Sequence, residues 1–125
     1  FKFISLHLKI DFIIHINMTD IVAGNPVVNN SQLDTIRDKI AAATQGNKSV
    51  PTLYGKIDVL TNDKIYVIKS IDQWCSGIGL LEILRQSFPN KTKCLHLYNI
   101  ARQPDILNKI ISITGSMEIQ LTVEQ

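Results

Sequence analysis

Residues 56–69, KIDVLTNDKIYVIK, contain two runs rich in Ile, Val and Leu separated by Thr61-Asn62-Asp63. β-branched runs broken by a polar cluster predict paired strands over 56–60 and 64–69. A third strand candidate, 50–54, precedes them, with Gly55 as punctuation. Three strands in a row commit this part of the chain to a sheet, and everything else has to pack around it.

The flanking segments carry helical spacing. In SQLDTIRDKIAAATQG, Leu33, Ile36, Ile40 and Ala43 recur at helical intervals, Ser31 and Asp34 form a capping-box-like start, and Gly46 suits the C-terminal cap. A second helix is predicted over about 72–87, with Trp74, Ile78, Leu81, Leu84 and Phe88 on its apolar positions and Pro89-Asn90 as its stop. KCLHLY, 93–98, reads as a short strand. Pro104 opens a third helix with Ile106, Leu107, Ile110, Ile111 and Ile113 as its stripe, closed by Gly115. From 117 the chain alternates. Met117, Ile119, Leu121 and Val123 face in, and Glu118, Gln120 and Thr122 face out, as at a half-exposed edge. The order helix, three strands, helix, strand, helix, strand predicts an α/β fold: a central mixed β-sheet flanked by helices on both faces. Residues 4–18 alternate with apolar side chains on even positions, so a strand leads and a helix is the alternative; 19–30 reads as a loop. This divides the chain into an N-terminal extension, 1–30, and a single domain, 31–125. Met18 is an alternative start.

Composition narrows the function classes. With 45% apolar and 19% charged residues, the chain is of globular type. A net charge of +2 does not by itself imply a nucleic-acid partner. Cys75 and Cys94 form neither a disulfide framework nor a metal-type spacing. They read as reduced packing residues, which points to an intracellular protein of the cytoplasm or nucleus. No apolar run is long enough to span a membrane.

The helix–three strands–helix–strand order, with GKIDVLTNDKIYVIKS at the strand pair, resembles the PD-(D/E)XK nuclease superfamily and its restriction-endonuclease-like αβββαβ core. The likeness is to virus- and phage-type members. The residues that carry it are Gly55-Lys56-Ile57-Asp58-Val59-Leu60-Thr61, Lys69, Trp74, Gly79, Phe88-Pro89 and Leu95-His96-Leu97, over roughly 31–98. Three positions depart from the pattern. Val67 stands where the second motif acid belongs, Lys48-Ser49 holds no acid before the first core strand, and Leu80 replaces a glutamine.

The resemblance implies a nucleic-acid ligand, DNA above RNA, and, if the domain is active, Mg²⁺-dependent phosphodiester hydrolysis. Mg²⁺ takes oxygen ligands, polarises the phosphate and activates water, while a nearby ammonium stabilises developing charge. Asp58 would be the metal ligand and Lys69 the charge stabiliser. Some members move the glutamate from strand to helix, which makes Glu82 the candidate second ligand; its alternative is a solvated helix residue. A site also needs register. A four-residue turn, Thr61 to Lys64, sets Asp58 opposite Val67 and on one face with Lys69, whereas a three-residue turn sends them apart. Lys48, Lys56, Arg85, Lys91 and Lys93, with Arg102, are candidate phosphate contacts. Trp74 reads as core before base-stacking, and His96 as a packed histidine with satisfied nitrogens. His7 and His15 receive no role. The expected function is thus a nuclease-like, nucleic-acid-binding domain with impaired or lost metal chemistry. A catalytically inactive structural or protein-interaction domain, using the 117–123 edge or the N-terminal strand, is the alternative. A homodimer is left open.

Overall fold

Helix α1, Asn29–Thr44, begins two residues before the expected cap, so Ser31 lies inside its first turn and its carbonyl accepts from Thr35 Oγ1 at 2.9 Å. At the other end Gln45 adopts φ 56°, and the Gly46 amide donates to the Ala41 carbonyl at 3.0 Å. This is a Schellman-type closure with glutamine, not glycine, in the left-handed position. Gly46 has a different reason to lack a side chain: a Cβ there would lie 2.6 Å from Val59 Cγ1. The computed structural model describes residues 29–124, with side chains from residue 31. The alternating N-terminal stretch and nearly all of the loop after it lie outside the described residues.

Three strands follow: β1 (Asn47–Pro51), β2 (Lys56–Leu60) and β3 (Lys64–Ser70). β1 lies three residues earlier than expected, because Thr52 to Gly55 close a turn and leave the ladder. A 3₁₀ turn, Ile71–Gln73, leads into α2 (Trp74–Leu84), which is shorter than the apolar spacing predicted. β4 (Thr92–Tyr98), two 3₁₀ turns, α3 (Leu107–Ser116) and β5 (Ile119–Val123) complete the order. The sheet runs β1-β2-β3-β4-β5, antiparallel across the first two pairs and parallel across the last two. The fold is α/β, with a mixed sheet flanked by helices, as expected.

Strand alternation divides the core into two layers. Ile65, Val67, Leu95, Leu97, Ile119, Leu121 and Val123 pack with Ile78, Leu81 and Leu84 of α2 and Ile110 of α3. Tyr66, Ile68, Cys94 and Tyr98 pack on the opposite side, with Ile36, Ile40 and Ala41 of α1. Full burial of each Ile or Leu stabilises by about 1.5–3 kcal/mol relative to exposure, so both layers hold the sheet. β5 is a sheet edge. The expected outward face of 117–123 holds for Glu118, which is exposed, and Gln120, which is half-buried, but not for Thr122, which is 3% exposed. β1 is the exposed edge instead. Cys94 is a packing residue as expected, while Cys75 is exposed. Among the described residues no helix is long and apolar enough to cross a membrane.

Candidate functional site

Leu60 pairs with Ile65 and Val59 with Tyr66, so Thr61–Lys64 is the four-residue connection that a shared Asp58–Lys69 face requires. The register is right, yet the alternation breaks immediately beyond it. The β2–β3 ladder stops at Val59–Tyr66. On the other side of β2, Lys48 pairs with Val59 and Val50 with Ile57, but Ser49 and Asp58 between them are unpaired, and Ser49 has φ 54°. This matched irregularity switches faces in both strands. Val50 and Ile57 join the α2 layer, while Val59 joins the α1 layer and Lys48 reaches Asp38 on α1. Asp58 turns to α1 with them.

There its carboxylate is fully engaged. Oδ1 accepts from Arg37 Nη2 at 2.8 Å and Nε at 3.2 Å, and Oδ2 accepts from the Ile68 amide at 2.8 Å. Arg37 also holds Asp34 through Nη1 at 2.7 Å. Arg37 and Asp58 are each 6% exposed. Two guanidinium N–H groups thus converge on one carboxylate oxygen, and a buried charge persists only when paired and hydrogen-bonded. Asp58 thereby takes up the Ile68 amide, which the splayed ladder would otherwise leave without a partner. Tyr98 lies alongside. Burial raises its pKa, with a further push from the Asp58 carboxylate and an opposing effect of Arg37, so its hydroxyl stays protonated.

Lys69 is on the opposite face. It follows Ile65 and Val67 at strand spacing and pairs with Leu97, and a Cβ added to Gly77 of α2 would approach its Cγ to 3.1 Å. The sheet stands between Asp58 and Lys69. Val67, where the motif acid would be, is 0% exposed in the α2 layer. Glu82 is on that layer too, but near the start of β4. It accepts from Lys93 Nζ and, at 3.2 Å, from Arg85 Nε. The three candidate catalytic residues are therefore not brought together. The oxygen donors do not suit a Mg²⁺ ion, and among the described residues no cluster of three His, Cys, Asp or Glu side chains offers a metal site.

The Lys93 hydrogen bond holds the Glu82 carboxyl below its ordinary value of 4.5, with Coulombic help from Lys93 and Arg85 and against partial desolvation. A depressed pKa means the unfolded chain binds the proton more readily, so this stabilisation is present above that value and is lost as pH falls through the folded one. Glu82→Gln is expected to be less stable than the wild type near neutral pH and equal to it in strong acid. Urea denaturation at about pH 7 and about pH 3 reads the difference.

Of the five candidate phosphate contacts, four are engaged. Lys48 pairs with Asp38, Arg85 and Lys93 share Glu82, and Lys91 donates to the Thr61 and Asn62 carbonyls at 2.6 and 2.7 Å. Lys91 also lines a pocket of 240 Å³ with Thr44, Gln45, Asn47 and Thr61. Lys56 alone among the five is exposed without a partner among the described residues. Arg102 pairs with Asp72. Trp74 is half-buried against the α2 layer, as its spacing implied.

His96 is fully buried and both ring nitrogens are partnered, Nδ1 with Thr122 Oγ1 at 2.7 Å and Nε2 with Glu124 Oε1 at 2.9 Å. It is a satisfied core histidine, as read from the sequence. Arg37 is the partner of Asp58 that the sequence reading missed. The signal was present: position 37 falls within the Leu33–Ile36–Ile40 stripe, where an arginine has to bring a buried partner.

Three proteins of Acanthamoeba polyphaga mimivirus, designated KilA-N domain-containing, are similar to the chain. L33 is 33% identical over 103 residues, covering 82% of this chain and 41% of that protein. L32 is 36% identical over 84 residues, covering 66% of the chain and 23% of that protein. R878 is 29% identical over 100 residues, covering 80% and 28%. The chain thus spans less than half the length of these relatives. No family model matches it, and no solved structure matches it.

Proposed function

We propose that the chain is a nucleic-acid-binding domain built on a nuclease-like sheet and devoid of phosphodiester hydrolysis. The observation that carries the second half is the Asp58 carboxylate. Arg37 and the Ile68 amide take both of its oxygens, on the face away from Lys69. A hydrolytic site of this kind needs a free carboxylate for the metal and an ammonium beside the same phosphate. The first half is supported by the sequence resemblance and by similarity to virus proteins named for a KilA-N domain. More than half of each of those proteins lies outside the matched part, so a domain like this one would act beside others in a longer chain.

The test has two arms. Wild-type protein with supercoiled plasmid in Mg²⁺ or Mn²⁺ is expected to give no nicked product above a metal-free control, and the Asp58→Asn variant the same. Retention of labelled oligonucleotides is expected to weaken with rising salt, as for any ligand held through phosphates. Metal-dependent nicking that Asp58→Asn abolishes would refute the non-hydrolytic reading. Absence of any salt-dependent retention would refute nucleic acid as the ligand.

A further inference from the structure

The tip of the β1–β2 hairpin presents two large apolar side chains to solvent, Leu53 at 89% and Tyr54 at 51% exposure. The tip is braced. The Thr52 amide donates to the Gly55 carbonyl at 2.9 Å, and the Thr52 hydroxyl donates to that same carbonyl. The hydroxyl oxygen in turn accepts from the Tyr54 and Gly55 amides at 3.2 and 3.1 Å. Gly55 holds φ 151°, a conformation that side-chain-bearing residues rarely adopt, and a Cβ there would meet Leu80 Cδ1 of α2 at 3.0 Å. The hairpin is thus fixed in sequence and in space, and Leu53 and Tyr54 project from an ordered support. Ordering cost on binding would be small.

Charge selects the partner. From Asn47 to Ile57 there is no acidic residue, and the two charges are Lys48 and Lys56. Lys56 is exposed beside the tip, and the Lys48–Asp38 pair is solvent-exposed, of a kind worth about 0–1 kcal/mol and easily exchanged. Two side chains are also too small a patch for a stable protein interface, which buries roughly 800 Å² per partner. They match the face of a base and the gap beside it: an aromatic ring stacks on any exposed base, and leucine wedges between unstacked ones.

We infer that the braced Leu53–Tyr54 tip, with Lys56 beside it, stacks on the bases of a single-stranded nucleic acid. This rests on the nucleic-acid reading above and names the contact that reading lacks. The ring of Tyr54 supplies the base contact, Leu53 blocks restacking beside it, and Lys56 holds a phosphate.

Fluorescence anisotropy with the full chain and a labelled oligothymidylate tests it, with a duplex of equal length alongside. The wild type is expected to prefer the single strand. Tyr54→Ala is expected to weaken that binding about tenfold with an unchanged salt slope, and Tyr54→Phe to restore it, since stacking needs the ring and not the hydroxyl. Lys56→Gln is expected to flatten the salt slope by about 0.7, the share of one phosphate on a single strand. Thermal melts within about 2 °C of wild type are expected for these exposed positions, which separates loss of contact from loss of fold. Equal affinity of Tyr54→Ala and wild type would overturn the inference and leave nucleic-acid binding standing. Loss of self-association in Tyr54→Ala at unchanged oligonucleotide affinity would assign the tip to a protein contact and likewise overturn it. A wild type that binds neither oligonucleotide would overturn both the inference and the reading beneath it.

Discussion

Introducing the missing motif acid, Val67→Glu, is expected to unfold the protein and to yield no nuclease. From the sequence, position 67 is where the second motif acid belongs, and a glutamate there restores the acid–spacer–lysine pattern. In the fold, Val67 has 0% exposure and sits between Leu95 on the neighbouring strand and the α2 layer. The apolar side chains described around it offer a carboxylate no donor. Lys69 is two residues further along the same face, about 7 Å away at strand rise. Burying an unpaired charge costs about 4 kcal/mol or more, against a total stability of about 5–15 kcal/mol for a typical domain. Even a variant rescued by stabilising changes elsewhere would have its new carboxylate on the α2 face and Asp58 on the α1 face. Thermal melting, circular dichroism and the plasmid assay together check this. A folded Val67→Glu protein that nicks plasmid would show that the two acids do converge.

Asp58→Ala is expected to destabilise the chain by about 3–5 kcal/mol, because removing one partner of a buried ion pair leaves the other charged, desolvated and unpaired. Here it leaves the Arg37 guanidinium, at 6% exposure, with only the exposed Asp34 carboxylate among the described residues, and it orphans the Ile68 amide. For a domain of this size that corresponds to a fall of about 15 °C or more in Tm. The direction separates the two roles open to this residue. A strained catalytic carboxylate, once removed, commonly leaves a protein as stable or more so. A structural one does not. Arg37→Met combined with Asp58→Asn is expected to recover part of the loss, since no charge is then stranded and the asparagine oxygen can still accept from Ile68. A double-mutant cycle measures that coupling directly. If Asp58→Ala melts at or above the wild-type temperature, the carboxylate is not the structural anchor described here.

Much of the architecture could be read from residue order. The strands at 56–60 and 64–69 are marked by β-branched runs around Thr61-Asn62-Asp63, and the helices by stripes such as Ile36–Ile40 and Ile78–Leu81. Such local periodicities reflect which side of an element faces the core, and both layers exist in the fold. The connection between those two strands was open between three and four residues in the sequence, and the fold takes the four-residue form. Residues at element ends were less legible. β1 lies earlier than expected because Thr52 satisfies the hairpin backbone with its own hydroxyl, and α1 closes on Gln45 because Gly46 is needed for close contact with Val59. Those choices depend on neighbours distant in sequence.

The candidate site is where sequence and fold part. The sequence by itself determined the sheet, its flanking helices and the burial of His96, since each rests on local pattern or on the spacing between adjacent elements. Only the tertiary structure decided which way Asp58 points. One positive φ at Ser49, matched by a missed pairing at Asp58, reverses the alternation of two strands at once, and no period-two count registers such a reversal. Once reversed, the carboxylate meets Arg37, twenty-one residues earlier in the chain, whose charge is met among the described residues by this contact and Asp34. A motif records side-chain identity and spacing, whereas chemistry requires a common direction, and direction is set by backbone dihedrals together with partners the motif does not contain.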